Sequence, residues 1–387
     1  MNNQLLHKLI NQFSNESLIA FLSDKNPNFE PTRQPRQEYE SEDFSQAFEV
    51  GELPFGRSES LGVYSFSVNK ALSERSGKKA QYDLAKKVLK SAQQDAGIFV
   101  FYDAQGNFRF SLVYADYHGT KVDWSTFKRF TYFVSPQLTN KTFLQRIGEC
   151  NFSSLEEIKD AFSVEKVTTK FFNEFRIIFE KTQQEFEEAN KNTVCLWLKS
   201  KYEPEDYQEQ VKSFNLTFLG RIIFLYFLLR KGWIEDRSDF IRKIFEDKSR
   251  HNLYQEVLSP LFFDVFAKPE NERSEIVKQQ FKNTPYLNGG LFERSDLELE
   301  MAKEGKIILY RDEFLRDIIL NYFEIYNFTV DENTPTDQEV SIDPEMLGKV
   351  FENTLAEDER NKKGTFYTPR EVVHFMVNDA LQQYLHN

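Results

Sequence analysis

The stretch Leu61-Gly62-Val63-Tyr64-Ser65-Phe66-Ser67-Val68, read with the segment Lys78 to Gln94 and the run Gly97-Ile98-Phe99-Val100-Phe101-Tyr102, decides the fold class of the N-terminal part of this chain. Leu61 to Val68 is apolar and β-branched or aromatic at most positions and reads as a strand. Between Lys78 and Gln94, the residues Gln81, Leu84, Ala85 and Val88 recur at helical spacing and form an inner face. Gly97 to Tyr102 is a short continuous apolar run of the kind that buried strands carry. Phe108 to Tyr114 then reads as its hairpin partner across Asp103-Ala104-Gln105-Gly106-Asn107. Arg129 to Val134 adds another candidate strand. Strand, helix, strand, strand at this spacing predicts a small mixed-sheet α/β domain.

Upstream, residues 1 to about 24 read as one or two short helices with Leu5, Leu9, Ile10 and Phe13 at helical spacing. A polar, proline-bearing stretch from Asn26 to Glu42 reads as loop. The N-terminus has no basic region followed by a long apolar run, so it does not read as a signal peptide. Downstream, from about residue 150, the texture becomes helical. Val164, Val167, Phe171, Phe175, Ile178 and Phe179 mark one long amphipathic helix. Phe214 to Trp233 is apolar nearly all round and reads as the centre of a helical domain; Phe240 to Glu246 and Val257 to Phe266 read as shorter helices. The expected layout is α/β plus all-α, with domains at 1–150, 151–340 and 341–387.

The chain has 387 residues, 40% of them hydrophobic, which suits two or three domains with a sizeable core. Phenylalanine, at 39 copies, is the main core residue. The net charge of −12 means that bulk charge does not attract nucleic acid, so any DNA contact rests on local patches. One such patch is the set Arg75, Lys78, Lys79, Lys86, Lys87 and Lys90 around the Lys78–Gln94 helix, opposed only by Glu74 and Asp83. It reads either as a phosphate-contacting surface or as a solvated helix face. The two cysteines, Cys150 and Cys195, are too few for a disulfide framework and read as packed thiols. The five histidines form no cluster of metal-ligand spacing. Ile222 to Leu229, closed by Arg221 and Arg230, is too short to span a bilayer and reads as a buried helix in a cytoplasmic protein without a membrane partner.

Near the end stands Gly364-Thr365-Phe366-Tyr367-Thr368-Pro369-Arg370-Glu371-Val372-Val373. Thr368, Pro369 and Glu371 form a helix start, with a capping hydroxyl, a proline suited to the first helical position and a glutamate able to reach back. Such an end presents free N–H groups to an anion such as a ligand carboxylate.

With its paired aromatics and the Val372, Val373, Met376 face, this string resembles the first S-adenosylmethionine motif of adenine-specific amino-DNA methyltransferases in which that motif precedes the rest of the catalytic domain. Ile342-Asp343-Pro344-Glu345-Met346-Leu347-Gly348-Lys349-Val350-Phe351-Glu352 looks like the lead-in to that motif in type IIG restriction-modification enzymes. FSVEKVTTKFFNEF, FLGRIIFLYFLLRKGWI and PYLNGGLFE are similar to the helical connector of those enzymes, and the small α/β domain ahead of them resembles their nuclease-like domain. The resemblance implies double-stranded DNA as partner and methyl transfer from S-adenosylmethionine to an adenine amino group. It assigns cofactor contacts to Thr365, Phe366, Tyr367, Thr368 and Pro369.

It also implies DNA cleavage with Mg2+ where the nuclease centre is intact. Such a centre needs a carboxylate, then an acid-x-lysine pair on a strand, because the carboxylates hold the metal and the lysine activates the attacking water. Here Ser65 and Ser67 stand where the acid and the lysine are expected. Glu52, Glu59 and Lys70 are the nearest candidates for a divergent centre, and ordinary solvated charge accounts for them more simply; the metal is unassigned. Asn283-Thr284-Pro285-Tyr286 resembles the catalytic Asn/Asp-Pro-Pro-Tyr motif, but lacks its first proline and precedes the cofactor motif. Asn288-Gly289-Gly290 lacks the lysine of a phosphate loop and reads as a turn. The remaining family motifs do not follow within these residues. The expectation is therefore that this chain alone does not methylate DNA and works with a methyltransferase and target-recognition portion, in a longer protein or in trans. The alternative is a non-catalytic DNA-binding or interaction module with a decayed nuclease domain that docks onto a separate methyltransferase subunit.

Overall fold

The computed structural model describes residues 4–55, 59–73, 77–118, 121–287, 289–329, 334, 336–344, 348 and 370–386. Two short helices, α1 (Gln4–Asn11) and α2 (Asn15–Lys25), come first, and Ser14 closes a capping box on α2. The strands β1 (Gln34–Pro35), β2 (Phe44–Phe55) and β3 (Glu59–Val68) follow, then α3 (Lys78–Ala92), β4 (Ala96–Tyr102), β5 (Phe108–His118) and β6 (Lys121–Val134). These strands and β7 (Asp337–Glu339) form one seven-stranded sheet in sequential order. Neighbours are antiparallel except β3 with β4 and β6 with β7. The parallel β3–β4 pair requires a crossover, which α3 supplies.

The strand β2 is absent from the sequence reading for a local reason. Its pairing with β3 slips twice, between Ser45 and Phe48 and between Glu49 and Gly51, and Gln46 takes a positive φ of 48°. Two irregularities break the period-2 alternation from which a strand is read. Gly51 is required there: a Cβ would lie 2.5 Å from the Glu30 carbonyl oxygen and 2.6 Å from the Phe29 ring.

Alternation sends the residues of each strand to opposite faces. Tyr64, Phe66, Phe99, Phe101, Val113, Ala115 and Phe127 lie under α3, whose Leu84, Ala85, Val88 and Leu89 cover them. The other face, with Val63, Ile98, Val100, Phe110, Leu112 and Tyr132, belongs to a core that runs on through α1 and α2 into the helical part without a break. The helices α4 (Lys141–Glu149) and α5 (Leu155–Ala161) form this junction. Phe110 stacks on Phe162 at 5.7 Å, and the Tyr132 hydroxyl donates to the Ala161 carbonyl at 2.7 Å.

The helical part comprises α6 (Val164–Ala189), α7 (Val194–Lys201), α8 (Pro204–Arg230), α9 (Phe240–Glu246), α10 (Glu275–Gln280), α11 (Asp296–Lys303) and α12 (Asp312–Asn321). Val167, Phe171, Phe175, Ile178 and Phe179 are buried along α6, as their spacing predicts. The helix read from Val257 to Phe266 is present and starts earlier: residues 253–266 are helical throughout, with wide π-type turns at Tyr254–Leu258 and Leu261–Phe266 joined through Ser259 and Pro260. Proline removes one intrahelical donor. The apolar stretch read from Phe214 lies inside the longer α8, which has the length and hydropathy of a membrane span among the described residues; 78% of that apolar window is buried within the protein. At its middle, the buried Arg221 guanidinium donates to Glu298 at 2.7 and 3.0 Å and to the carbonyls of Leu291 and Glu293. Last comes α13 (Arg370–His386), with Phe375, Met376 and Tyr384 exposed.

Segment 151–340, expected to be wholly helical, supplies the seventh strand. Asp337 to Glu339 lie beside Arg129 to Thr131 of β6, and the Val340 N–H donates to the Thr131 carbonyl at 2.9 Å. Arg129, almost wholly buried, makes a bidentate pair with Asp337 at 2.8 and 2.6 Å, and Lys78 of α3 pairs with Glu339 at 3.0 Å. The segment that leads toward Ile342 is thus fastened to the sheet and to α3.

Candidate functional site: the β2–β3 strand pair and the basic face of α3

The strand pair expected to carry a nuclease centre is present, and around Ser65 and Ser67 its chemistry is neutral. Ser65 and Ser67 share the face of β3 opposite to α3, because Tyr64 and Phe66 occupy the other. Ser65 is fully buried, and its hydroxyl donates to Asn15 Oδ1 of α2 at 2.6 Å. Ser67 stands opposite Ser45 of β2, whose hydroxyl bonds Asn69 Oδ1 at 3.0 Å. The neighbouring Tyr102 hydroxyl donates to Gln46 Oε1 at 2.9 Å. Hydroxyls and amides satisfy one another here and present no carboxylate to a hard divalent cation, which takes charged oxygen ligands. Around Ser65 and Ser67 the described side chains therefore offer Mg2+ no charged ligand. Among the described residues there is no group of three or more His, Cys, Asp or Glu side chains able to hold a metal.

The structure does not bring Glu52 and Lys70 together. Glu52 of β2 stands opposite Gly62, six residues before the end of β3 at Val68. At ~3.3 Å per residue this is roughly 20 Å of strand, and Lys70 lies beyond it. Glu52 instead joins a polar chain at the other end: Gln94 Nε2 donates to Glu52 at 3.3 Å, and the Tyr64 hydroxyl donates to Gln94 Oε1 at 3.0 Å. Close by, Arg36 Nε donates to Glu49 at 2.6 Å. Burial, with the Glu49 charge adding to it, raises the Tyr64 phenol above its ordinary value of 10.0. Glu59 begins β3 opposite Phe55; its side chain lies outside the described residues.

The basic residues of α3 divide. Lys79, Lys87 and Lys90 are exposed and Lys86 is half-buried, on the face turned away from the sheet. Lys78 turns inward to Glu339. Arg75 lies outside the described residues, as do Thr365, Phe366, Tyr367, Thr368 and Pro369; the helix expected to follow them is α13. Asn283 and Thr284, in the segment that resembles a catalytic motif, are tied down through the Asn283 N–H and the Thr284 hydroxyl, both donating to Glu235.

Sequence reading missed a buried polar layer beneath α3. Gln81 Oε1 accepts from Arg109 Nη1 at 2.9 Å, and the Ser111 and Thr131 hydroxyls bond each other at 2.8 Å. The available signal was a charged or polar residue at alternate positions of two strands otherwise rich in aromatics, at Arg109 and Ser111 and at Arg129 and Thr131.

A family model described as a domain of unknown function, DUF7814, matches residues 164–319, the helical part from α6 to α12. Over 237 residues the chain is 30% identical to a protein of Methanocaldococcus jannaschii named "Putative type II restriction enzyme and methyltransferase RM.MjaORFECS2P". That alignment covers 56% of this chain and 19% of the archaeal protein, so the chain spans about a fifth of the length of this relative. No solved structure matches.

Proposed function

We propose that this chain forms the nuclease-like and connecting part of a restriction-modification protein that methylates adenine in double-stranded DNA with S-adenosylmethionine as methyl donor. The observation that carries the reading is the 30% identity over 237 residues to a protein named for both restriction and methylation. The string from Thr365 to Pro369, whose resemblance assigns it to the cofactor, adds to it. A helix N-terminus suits the carboxylate of such a cofactor, and aromatic side chains suit its apolar length.

For the α/β domain itself, a second reading is favoured by a specific observation. The buried Ser65–Asn15 hydrogen bond fills the place where a metal-binding acid is expected. The domain then acts as a DNA-binding or interaction module without cleavage, presenting Lys79, Lys87 and Lys90, and docks with methyltransferase and target-recognition parts on the same or another chain. It would work in the cytoplasm, where the DNA substrate is.

Two assays test this. Methyl transfer from labelled S-adenosylmethionine is measured on duplex DNA with the protein encoded by the whole reading frame, and the product is digested to nucleosides. Label in N6-methyl-2′-deoxyadenosine is expected; label confined to methylated deoxycytidine refutes the adenine assignment, and no label refutes the methyltransferase reading. Plasmid DNA incubated with Mg2+ is expected to stay supercoiled. Metal-dependent nicking that disappears in Glu52→Ala or Glu59→Ala would restore a cutting centre.

A further inference from the structure

The first turn of α3 breaks the usual electrostatic rule. A helix N-terminus favours an acidic residue and a capping side chain. Here the N-cap is Gly77, in a left-handed conformation at φ 69° and with no side chain to offer; the first turn has no acid, and Lys78 and Lys79 open it. No hydrogen bond to another described residue engages the N–H groups of Lys79 and Ala80; the first helical bond is Gln81 N–H to the Gly77 carbonyl at 3.0 Å. The Lys79 and Ala80 donors, without a partner among the described residues and beside two lysines, raise the local positive potential, at a cost to the helix that an anion would remove.

A second observation points to the same place. Gln81 is wholly buried, and its amide nitrogen Nε2 has no hydrogen-bond partner. Its orientation is fixed, because the Arg109 guanidinium can only donate and so must face Oε1. The nitrogen is left beside the helix start, 3.4 Å from where a Cβ on Gly77 would stand. A buried unsatisfied donor is costly and calls for a missing acceptor.

Both features border one cavity of about 120 Å3 that opens between the end of β3 and α3, lined by Gly77, Ala80, Gln81 and Lys70 among others. Lys70 is exposed at its rim, and among the described residues it forms no ion pair. Asp43, also exposed on the rim, opposes an anion, which places the seat toward the helix start. From there the exposed lysines 79, 87 and 90 continue along α3, with ~12 Å between the first two at 1.5 Å per residue, a span that a nucleic-acid backbone follows.

We propose that this cavity is a phosphate seat, in which the Gln81 amide, the N–H groups of Lys79 and Ala80 and the Lys70 ammonium hold one phosphate oxyanion of a DNA backbone. The inference deepens the DNA-binding reading of the domain and rests on it for the source of the phosphate. Lys70, considered above for metal-dependent cleavage, contacts phosphate here instead.

The test uses the full chain and two probes, a short duplex oligonucleotide followed by fluorescence anisotropy over a salt series, and inorganic phosphate followed by 31P line broadening. Gln81→Glu keeps the acceptor for Arg109 while placing a carboxylate in the seat; Gln81→Met removes the amide without adding charge; Lys70→Ala alters only the surface. Each is expected to weaken duplex binding evenly across sequences, with Gln81→Glu the most severe, and Lys70→Ala, which removes a cation, to lower the slope of log affinity against log salt by about one. Asp43→Asn is expected to strengthen binding. The paired variant Lys87→Ala and Lys90→Ala should weaken duplex binding and leave phosphate binding unchanged.

Phosphate binding that Gln81→Glu abolishes, without any duplex effect, keeps the oxyanion seat and assigns it to free phosphate. If Gln81→Glu, Gln81→Met and Lys70→Ala all bind both probes like the wild type while the Lys87 and Lys90 variant loses duplex affinity, the seat is refuted and the DNA-binding reading stands. If the wild type binds neither probe, both fail.

Discussion

Replacing Glu298 should expose how the helical part is held together. Arg221 sits in the middle of α8, 2% exposed, and donates to both Glu298 oxygens at 2.7 and 3.0 Å. Glu298→Ala leaves the two carbonyl bonds from Leu291 and Glu293 but strands a buried positive charge. Breaking one side of a buried ion pair in this way costs about 3–5 kcal/mol. The pH dependence follows from the carboxyl. Burial alone would raise its pKa, but the hydrogen bonds and charge of Arg221, together with Ser295, win and hold it below its ordinary 4.5. A depressed carboxylate contributes its stability above the unfolded value and loses it as pH falls through the folded one. The gap between wild type and Glu298→Ala should therefore be full at pH 7 and close progressively below pH ~4.5. Urea unfolding followed by far-ultraviolet circular dichroism, repeated from pH 7 to pH 3, measures both. The double variant Arg221→Met with Glu298→Met removes both charges and should recover most of the loss, since apolar replacements of buried pairs are often neutral or better. A single variant within 1 kcal/mol of wild type, or a double variant as costly as the single, would refute the reasoning.

Other outcomes follow from the same structure. Asp337→Asn unpairs the buried Arg129 and should cost roughly 2 kcal/mol, below the range for fully buried pairs because Asp337 is partly exposed; faster amide exchange confined to β7 and its neighbour β6 checks it. Glu324 is raised above 4.5 by burial, against the lowering effects of Tyr226 and nearby cations. Glu324→Gln should thus stabilise the protein at pH 7, and the gain should shrink as pH falls through the raised pKa toward 4.5, which a pH series of thermal melts would show. Burial pushes the Cys150 thiol up to about 12, so it should resist alkylation at pH 8 until the protein unfolds; mass spectrometry of iodoacetamide adducts with and without urea reads this. Gly51→Ala should destabilise strongly or prevent folding, since the added Cβ meets backbone at 2.5 Å, and soluble yield with thermal melting reports it.

The sequence alone determined those features whose signals are local. The aromatic and β-branched residues of Leu61–Val68 and the continuous apolar run Gly97–Tyr102 marked two strands, and the spacing of Gln81, Leu84, Ala85 and Val88 marked the inner face of the helix between them. The long repeats from Val164 and Phe214 gave α6 and the core of α8, because burial of a stripe imposes its period on the residues. The serines at 65 and 67 mark the departure from an acid-x-lysine strand, since chemistry is read directly from residue type. Tertiary structure decided what depends on distance. The register of β2 against β3 separates Glu52 from Lys70, and no sequence interval reveals an antiparallel pairing interrupted by two slips. The pairing of Arg129 with Asp337 joins positions 208 residues apart. The vacant Gln81 nitrogen becomes visible only when Arg109, on another strand, is known to occupy the oxygen. A local pattern fixes which face of an element is buried; a hydrogen bond between distant elements depends on how the whole chain packs.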